Sequence, residues 1–151
     1  MATPSIFRPA DLDAVLARIR GLAPDTARVW GKMDAAQMFA HCQVPIRVAL
    51  GDVKLKRGLV GILFGRMAKK SLMKPKDFGR GMPTAPEFRV LDRRDFEAER
   101  GRLVDLVGRL GRGGPGTLTA APHPFFGAMT TDEWDTLMWK HLDHHLRQFG
   151  A

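Results

Sequence analysis

Cysteine is nearly absent: the 151-residue chain has one, Cys42. An intramolecular disulfide is therefore excluded, which fits a reducing compartment. Long hydrophobic runs are absent too. The longest apolar stretch, near Leu59 to Phe64, is far too short to cross a bilayer. The start, Met1-Ala2-Thr3-Pro4-Ser5-Ile6-Phe7, has no basic segment leading into an apolar run, so a signal peptide is not expected and a cytoplasmic location is. No internal repeat or low-complexity tract divides the chain, and its length fits one domain over residues 1–151. A domain of this size buries a core without disulfides. Acids are scarce as well: 16 Asp and Glu stand against 24 Lys and Arg, a formal charge of +8. The excess is partly local. Lysines and arginines crowd the stretch from Lys54 to Arg80, where Asp52 and Asp77 are the nearest acids. Such a stretch suits nucleic acid, an anionic surface or a small anionic molecule, or serves solubility alone. No nucleic-acid motif accompanies it, which argues against nucleic acid.

Helical periodicity is what the chain has in quantity. Pro9 suits a first turn, and Leu12, Val15, Leu16 and Ile19 recur at helical spacing until Gly21 and Pro24. A second helix is expected from the N-cap Asp34 through His41 and Cys42 to about Leu50. Pro45 inside it removes one backbone donor and predicts a kink one turn after His41. Arg57 to Ser71 reads as a basic amphipathic helix, and Lys74 to Pro86 as loop. A third main helix is expected from about Arg94 to Leu110, stopped by Gly111 to Gly116. The last helix carries the clearest start, because Thr130 and Glu133 have capping-box spacing. It should reach about Phe149. Short extended pieces are expected near Phe88 to Leu91 and Leu118 to Ala120. The fold class is all-α: an up-down four-helix bundle, with an extended basic loop or short helix between its second and third main helices.

Chemistry concentrates on the last helix. At about 100° per residue, Trp134, Leu137, Met138, Leu142 and Phe149 form one apolar stripe. His141 and His145 fall inside it, one turn apart, with His144 at its edge. Two imidazoles on a buried face need partners, and no carboxylate shares the stripe. Neutral imidazoles at this spacing can converge on one metal ion, although a hydrogen-bonded pair is the plainer alternative. A third ligand must come from elsewhere. His41 and His123 are the candidates, and His123, before a proline, reads as a turn residue. Asp34 and Gln37 are candidates for orienting or acid–base groups, or for capping and surface solvation, with capping favoured for Asp34. Cys42 reads as a small core residue. Trp30, Trp134 and Trp139 are candidates for pocket lining or for core.

The segment Trp30-Gly31-Lys32-Met33-Asp34-Ala35-Ala36-Gln37-Met38-Phe39-Ala40-His41 resembles the ligand-bearing helix of the DinB-like metalloenzyme superfamily. His123-Pro124-Phe125-Phe126-Gly127, followed by His141-Leu142-Asp143-His144-His145, is similar to one uncharacterised branch of it. The resemblance implies a four-helix fold that is often a homodimer. It also implies one divalent metal on His41, His141 and His145, and all-imidazole ligation suits zinc, nickel, copper or iron. Members with known activity use a low-molecular-weight thiol for transfer or isomerisation. The expected function is thus a divalent-metal-dependent enzyme, a thiol-dependent transferase or a hydrolase, acting on a small anionic substrate. The alternatives are a basic nucleic-acid or anionic-surface binding module with a structural metal, and a non-catalytic metal or ligand sensor.

Overall fold

The computed structural model describes residues 3–151, so Met1 and Ala2 of the expected domain lie outside the described residues. Five α-helices make up the fold: α1 (Pro9–Gly21), α2 (Ala35–Ala49), α3 (Leu59–Leu72), α4 (Phe96–Gly113) and α5 (Thr131–Gln148). Two 3-10 turns, Pro86–Phe88 and Pro115–Thr117, flank α4, and no strand occurs among the described residues. The all-α class holds. The pieces expected to be extended form no strand: Phe88 closes a 3-10 turn before the extended Arg89, and Leu118 is extended at the start of an irregular segment in which the Thr119 amide donates to the Ala49 carbonyl at 2.7 Å. Residues 74–85 are loop, and Pro86 opens the 3-10 turn.

Side chains at the helix ends explain the boundaries. Asp34 accepts from the Gln37 amide at 2.8 Å, and the Gln37 side chain accepts from the Asp34 amide at 3.0 Å, a complete capping box. Thr130 and Glu133 form the second, at 3.2 and 2.8 Å. Helix α4 begins at Phe96 rather than Arg94 because the Asp95 carboxylate accepts from the Ala98 amide at 2.7 Å. Helix α3 begins at Leu59 rather than Arg57, with Gly58 as its cap. Helix α2 runs through Pro45 without interruption.

Contacts run from α1 to α4, α4 to α2, α2 to α5 and α5 back to α1. One core fills the space they share. It takes Leu12, Val15, Leu16 and Ile19 from α1, Met38, Phe39, Cys42 and Ile46 from α2, and Leu103, Val107 and Leu110 from α4. From α5 it takes Trp134, Leu137, Met138, Leu142 and Leu146, so the stripe read from the sequence is the buried face. Helix α3 stands outside this arrangement and touches α5.

Glycines in α4 show how packing overrides propensity. The sequence suggests that Gly111 ends the helix, yet α4 continues to Gly113. A Cβ at Gly111 would stand 2.6 Å from a Leu12 methyl and 2.8 Å from the Ile6 carbonyl oxygen. The residue is glycine because α1 and its entry segment press on it. Gly101, in the same helix, has nothing within 4 Å of such a Cβ. Opposite outcomes are expected in thermal melts. Gly101→Ala should stabilise by about 0.5–1 kcal/mol, since it only removes unfolded-state freedom. Gly111→Ala should destabilise by about 1–3 kcal/mol through overpacking.

Candidate metal centre

Three histidines from two helices meet in space. His41 lies on α2, and His141 and His145 lie one turn apart on α5. Their candidate ligand atoms lie within 4.8 Å of one another. The His41 ring centre is 5.0 Å from that of His141 and 4.6 Å from that of His145, and the His141 and His145 centres are 4.6 Å apart. His41 is buried, and His141 and His145 are partly buried.

Hydrogen bonds at the far side of two rings set the tautomers. The His41 Nδ1 lies 2.6 Å from the Phe88 carbonyl oxygen, which can only accept. Nδ1 therefore carries the proton, and Nε2 presents a lone pair. The His145 Nδ1 lies 2.9 Å from the Gln148 side-chain oxygen. The Gln148 amide nitrogen donates to the Trp30 carbonyl at 2.9 Å, which fixes which end of the amide faces His145. His145 thus donates from Nδ1, leaving Nε2 free as well. This is the pattern in which a metal-ligating imidazole is held through its other nitrogen.

The free nitrogens suit a metal. The His41 and His141 Nε2 atoms are 3.0 Å apart. Two imidazoles sharing an ion at 2.0–2.1 Å, at angles between square and tetrahedral, separate their nitrogens by about 2.9–3.4 Å. No carboxylate closes the site: Asp143 is turned away, paired with Arg18 at 2.8 Å and Arg147 at 3.0 Å. Burial, together with the neighbouring imidazoles, holds the His141 pKa well below its usual range. Burial lowers His41 against the pull of the Phe88 carbonyl, and brings His145 down to about 3. All three rings are therefore neutral at physiological pH, the form that binds metal. Three close-set histidines that could hold one divalent ion are what the geometry provides.

The other candidates are placed differently. His144 is not among the clustered ligand atoms: its ring stands edge-on to His145 at 5.1 Å and faces Trp30 and Phe78 at 5.7 and 6.0 Å. The Arg80 guanidinium lies over Trp30, 3.9 Å from the ring centre. His123 is buried, and its Nδ1 accepts from the Phe125 and Phe126 amides at 3.0 and 3.1 Å, so it organises a turn. Asp34 caps α2. Gln37 completes that cap and donates to the Asp92 carbonyl at 3.1 Å, so its reading as an orienting or acid–base group yields to a structural one. Cys42 is buried beside Met38, and burial pushes its thiol pKa far up. Trp134 is core and Trp139 packs against it, while Trp30 lines the rim.

Sequence reasoning missed two partners of the histidines. The Phe88 carbonyl is a backbone atom and leaves no side-chain trace. Gln148 sits three residues after His145, a helical spacing that could have flagged it.

An all-α chain with an imidazole cluster between two helices is the class these observations define. The chain belongs to the family described as protein of unknown function (DUF1569), whose model matches residues 2–151. No curated protein and no solved structure matched it.

Burial, aided by the charge of Arg57, lowers the His123 pKa to about 4. A folded pKa below the unfolded 6.5 means that the unfolded chain binds the proton first. Stability from this group is complete above pH 6.5 and falls as pH drops toward 4, by about 3 kcal/mol in all. His123→Asn keeps an acceptor for the two amides but does not titrate. Denaturant melts across this range should show the wild type losing more stability than the variant, by about that amount.

Proposed function

We propose that this chain is a divalent-metal-dependent enzyme that activates a water or a low-molecular-weight thiol against a small anionic substrate. The observation that carries the reading is the convergence of three imidazole nitrogens, two with tautomers set from behind, on a point no carboxylate closes. His41, His141 and His145 would hold the ion, leaving coordination positions open as in catalytic rather than structural sites. When bound, the metal supplies Lewis acidity that lowers the pKa of water or thiol. Neutral imidazoles suit zinc, nickel or iron.

The protein's own residues supply orientation and charge. The Phe88 carbonyl and Gln148 fix the planes of two ligand rings. Arg80, laid on Trp30 beside His144, puts a cation at the rim where an anionic group can be held. The likeness to the DinB-like superfamily supports the thiol, the up-down arrangement of α1, α2, α4 and α5, and a homodimer as parts of this reading. A second reading, a basic binding module with a structural metal, draws support from the basic, exposed helix α3.

Metal-loaded protein, screened with small anionic electrophiles in the presence of thiols or water alone, should turn one over, and stripped protein should not. Turnover that survives stripping contradicts the reading. Gln148→Leu should weaken metal affinity about tenfold to a hundredfold, measured by chelator competition, because the His145 ring loses its orienting partner. Arg80→Ala should raise KM for the anionic substrate and leave metal content unchanged.

A further inference from the structure

Helix α3 is attached through a narrow, nearly bare face. Gly61 and Gly65 lie one turn apart against the loop that follows His123. A Cβ on them would stand 2.9 and 2.2 Å from the Phe125 carbonyl oxygen. Leu72 is the one large side chain that α3 buries. Polar contacts hold its C-terminal end. Lys69 pairs with Glu133 at 3.2 Å, and Lys140 of α5 donates to the carbonyls of Leu72, Lys74 and Lys76 at 2.6, 2.6 and 3.0 Å.

The outward face is apolar. At about 100° per residue, Leu59, Val60, Leu63, Phe64 and Met67 fall in one continuous arc opposite the glycines. Each is between 50 and 71% exposed. A helix needed only to cover the loop would turn polar residues outward. Arg66 borders this arc, Lys70 falls within it at the C-terminal end of the helix, and Ile62, 56% exposed, lies beyond Arg66. Residues 53–76 hold eight Lys and Arg and no Asp or Glu. Among the described residues, Lys69 alone of these eight is in an ion pair.

We propose that α3 lies flat on an anionic lipid surface. Its apolar arc enters the boundary between headgroups and acyl chains, while Arg66 and Lys70, with Lys54, Lys56, Lys74 and Lys76 beside the helix, meet lipid phosphates. The basic flank selects this occupant. A second copy of the chain would set the same cations against each other with no acid between them. Among the described residues no helix is long and apolar enough to cross a membrane, so α3 rests on the surface rather than spanning. The inference stands apart from the metal reading, since no histidine takes part.

Flotation with phosphatidylcholine vesicles, with and without about 30% phosphatidylserine, tests it. Full-length protein should bind anionic vesicles at least about tenfold more than neutral ones, with binding reduced by salt. Leu63→Ser with Met67→Ser should lose about tenfold in binding with the melting temperature unchanged, because both side chains are exposed. Arg66→Glu with Lys70→Glu should lose it too. Wild type that ignores anionic vesicles at low salt overturns the proposal. So does full binding by the serine variant, which would mean attraction to any polyanion without insertion. A dimer in sedimentation that the serine variant dissociates assigns the arc to a second copy and overturns it as well.

Discussion

Three neutral imidazoles aimed at one point are the constraint on which this structure turns. Lone pairs converging within hydrogen-bond distance repel unless a proton or a metal ion lies between them. A charged imidazolium is disfavoured there. Burial lowers all three pKa values, and each imidazolium would raise the cost of the next. A proton can also bridge only one pair at a time, and with His41 and His145 donating from Nδ1, only His141 is free to donate across the 3.0 Å gap. A divalent ion could be held by all three rings at once. The histidines face inward from α2 and α5, whose buried residues Met38, Phe39, Met138 and Leu142 belong to the same core. Cluster and core therefore form together.

The same constraint gives the connections their work. Phe88 ends a short 3-10 turn in the long passage between α3 and α4, and its carbonyl anchors His41. Trp30, before α2, is tied through Gln148 to His145. Between them, Asp77 pairs with Arg147 at 2.8 Å, Phe78 lies by His144 and Arg80 covers Trp30. Arg147 and His144 of α5 thus hold a loop that composition alone would leave free. Lys140, beside His141, extends this by holding three carbonyls at the end of α3. A small displacement of α5 would be felt at the histidines, at the rim and at α3 together.

The caps and the stripe were legible in the sequence for a physical reason. Asp34, Thr130 and Glu133 act on amides three residues away, and His141 with His145 share a face fixed by helical geometry alone. What stayed hidden depends on residues distant in the chain. Gly111 looked like a stop because its packing against Leu12 and Ile6 cannot be read locally. The start of α4 was placed early because Asp95, not Arg94, supplies the cap. Arg89 is extended as expected, but the 3-10 turn that ends at Phe88 and offers its carbonyl to His41 leaves no side-chain trace. Gln37 looked like a candidate for the site because it precedes His41 by one turn, yet it is used by the cap.

Elemental mass spectrometry on tag-free, dialysed protein tests the central claim most directly. Wild type should carry about one transition metal per chain, and His41→Ala, His141→Ala and His145→Ala should each lose it while remaining folded. Folded wild type that holds no metal, and takes up none from zinc, nickel or iron salts, would contradict the account and leave the three histidines as a structural cluster.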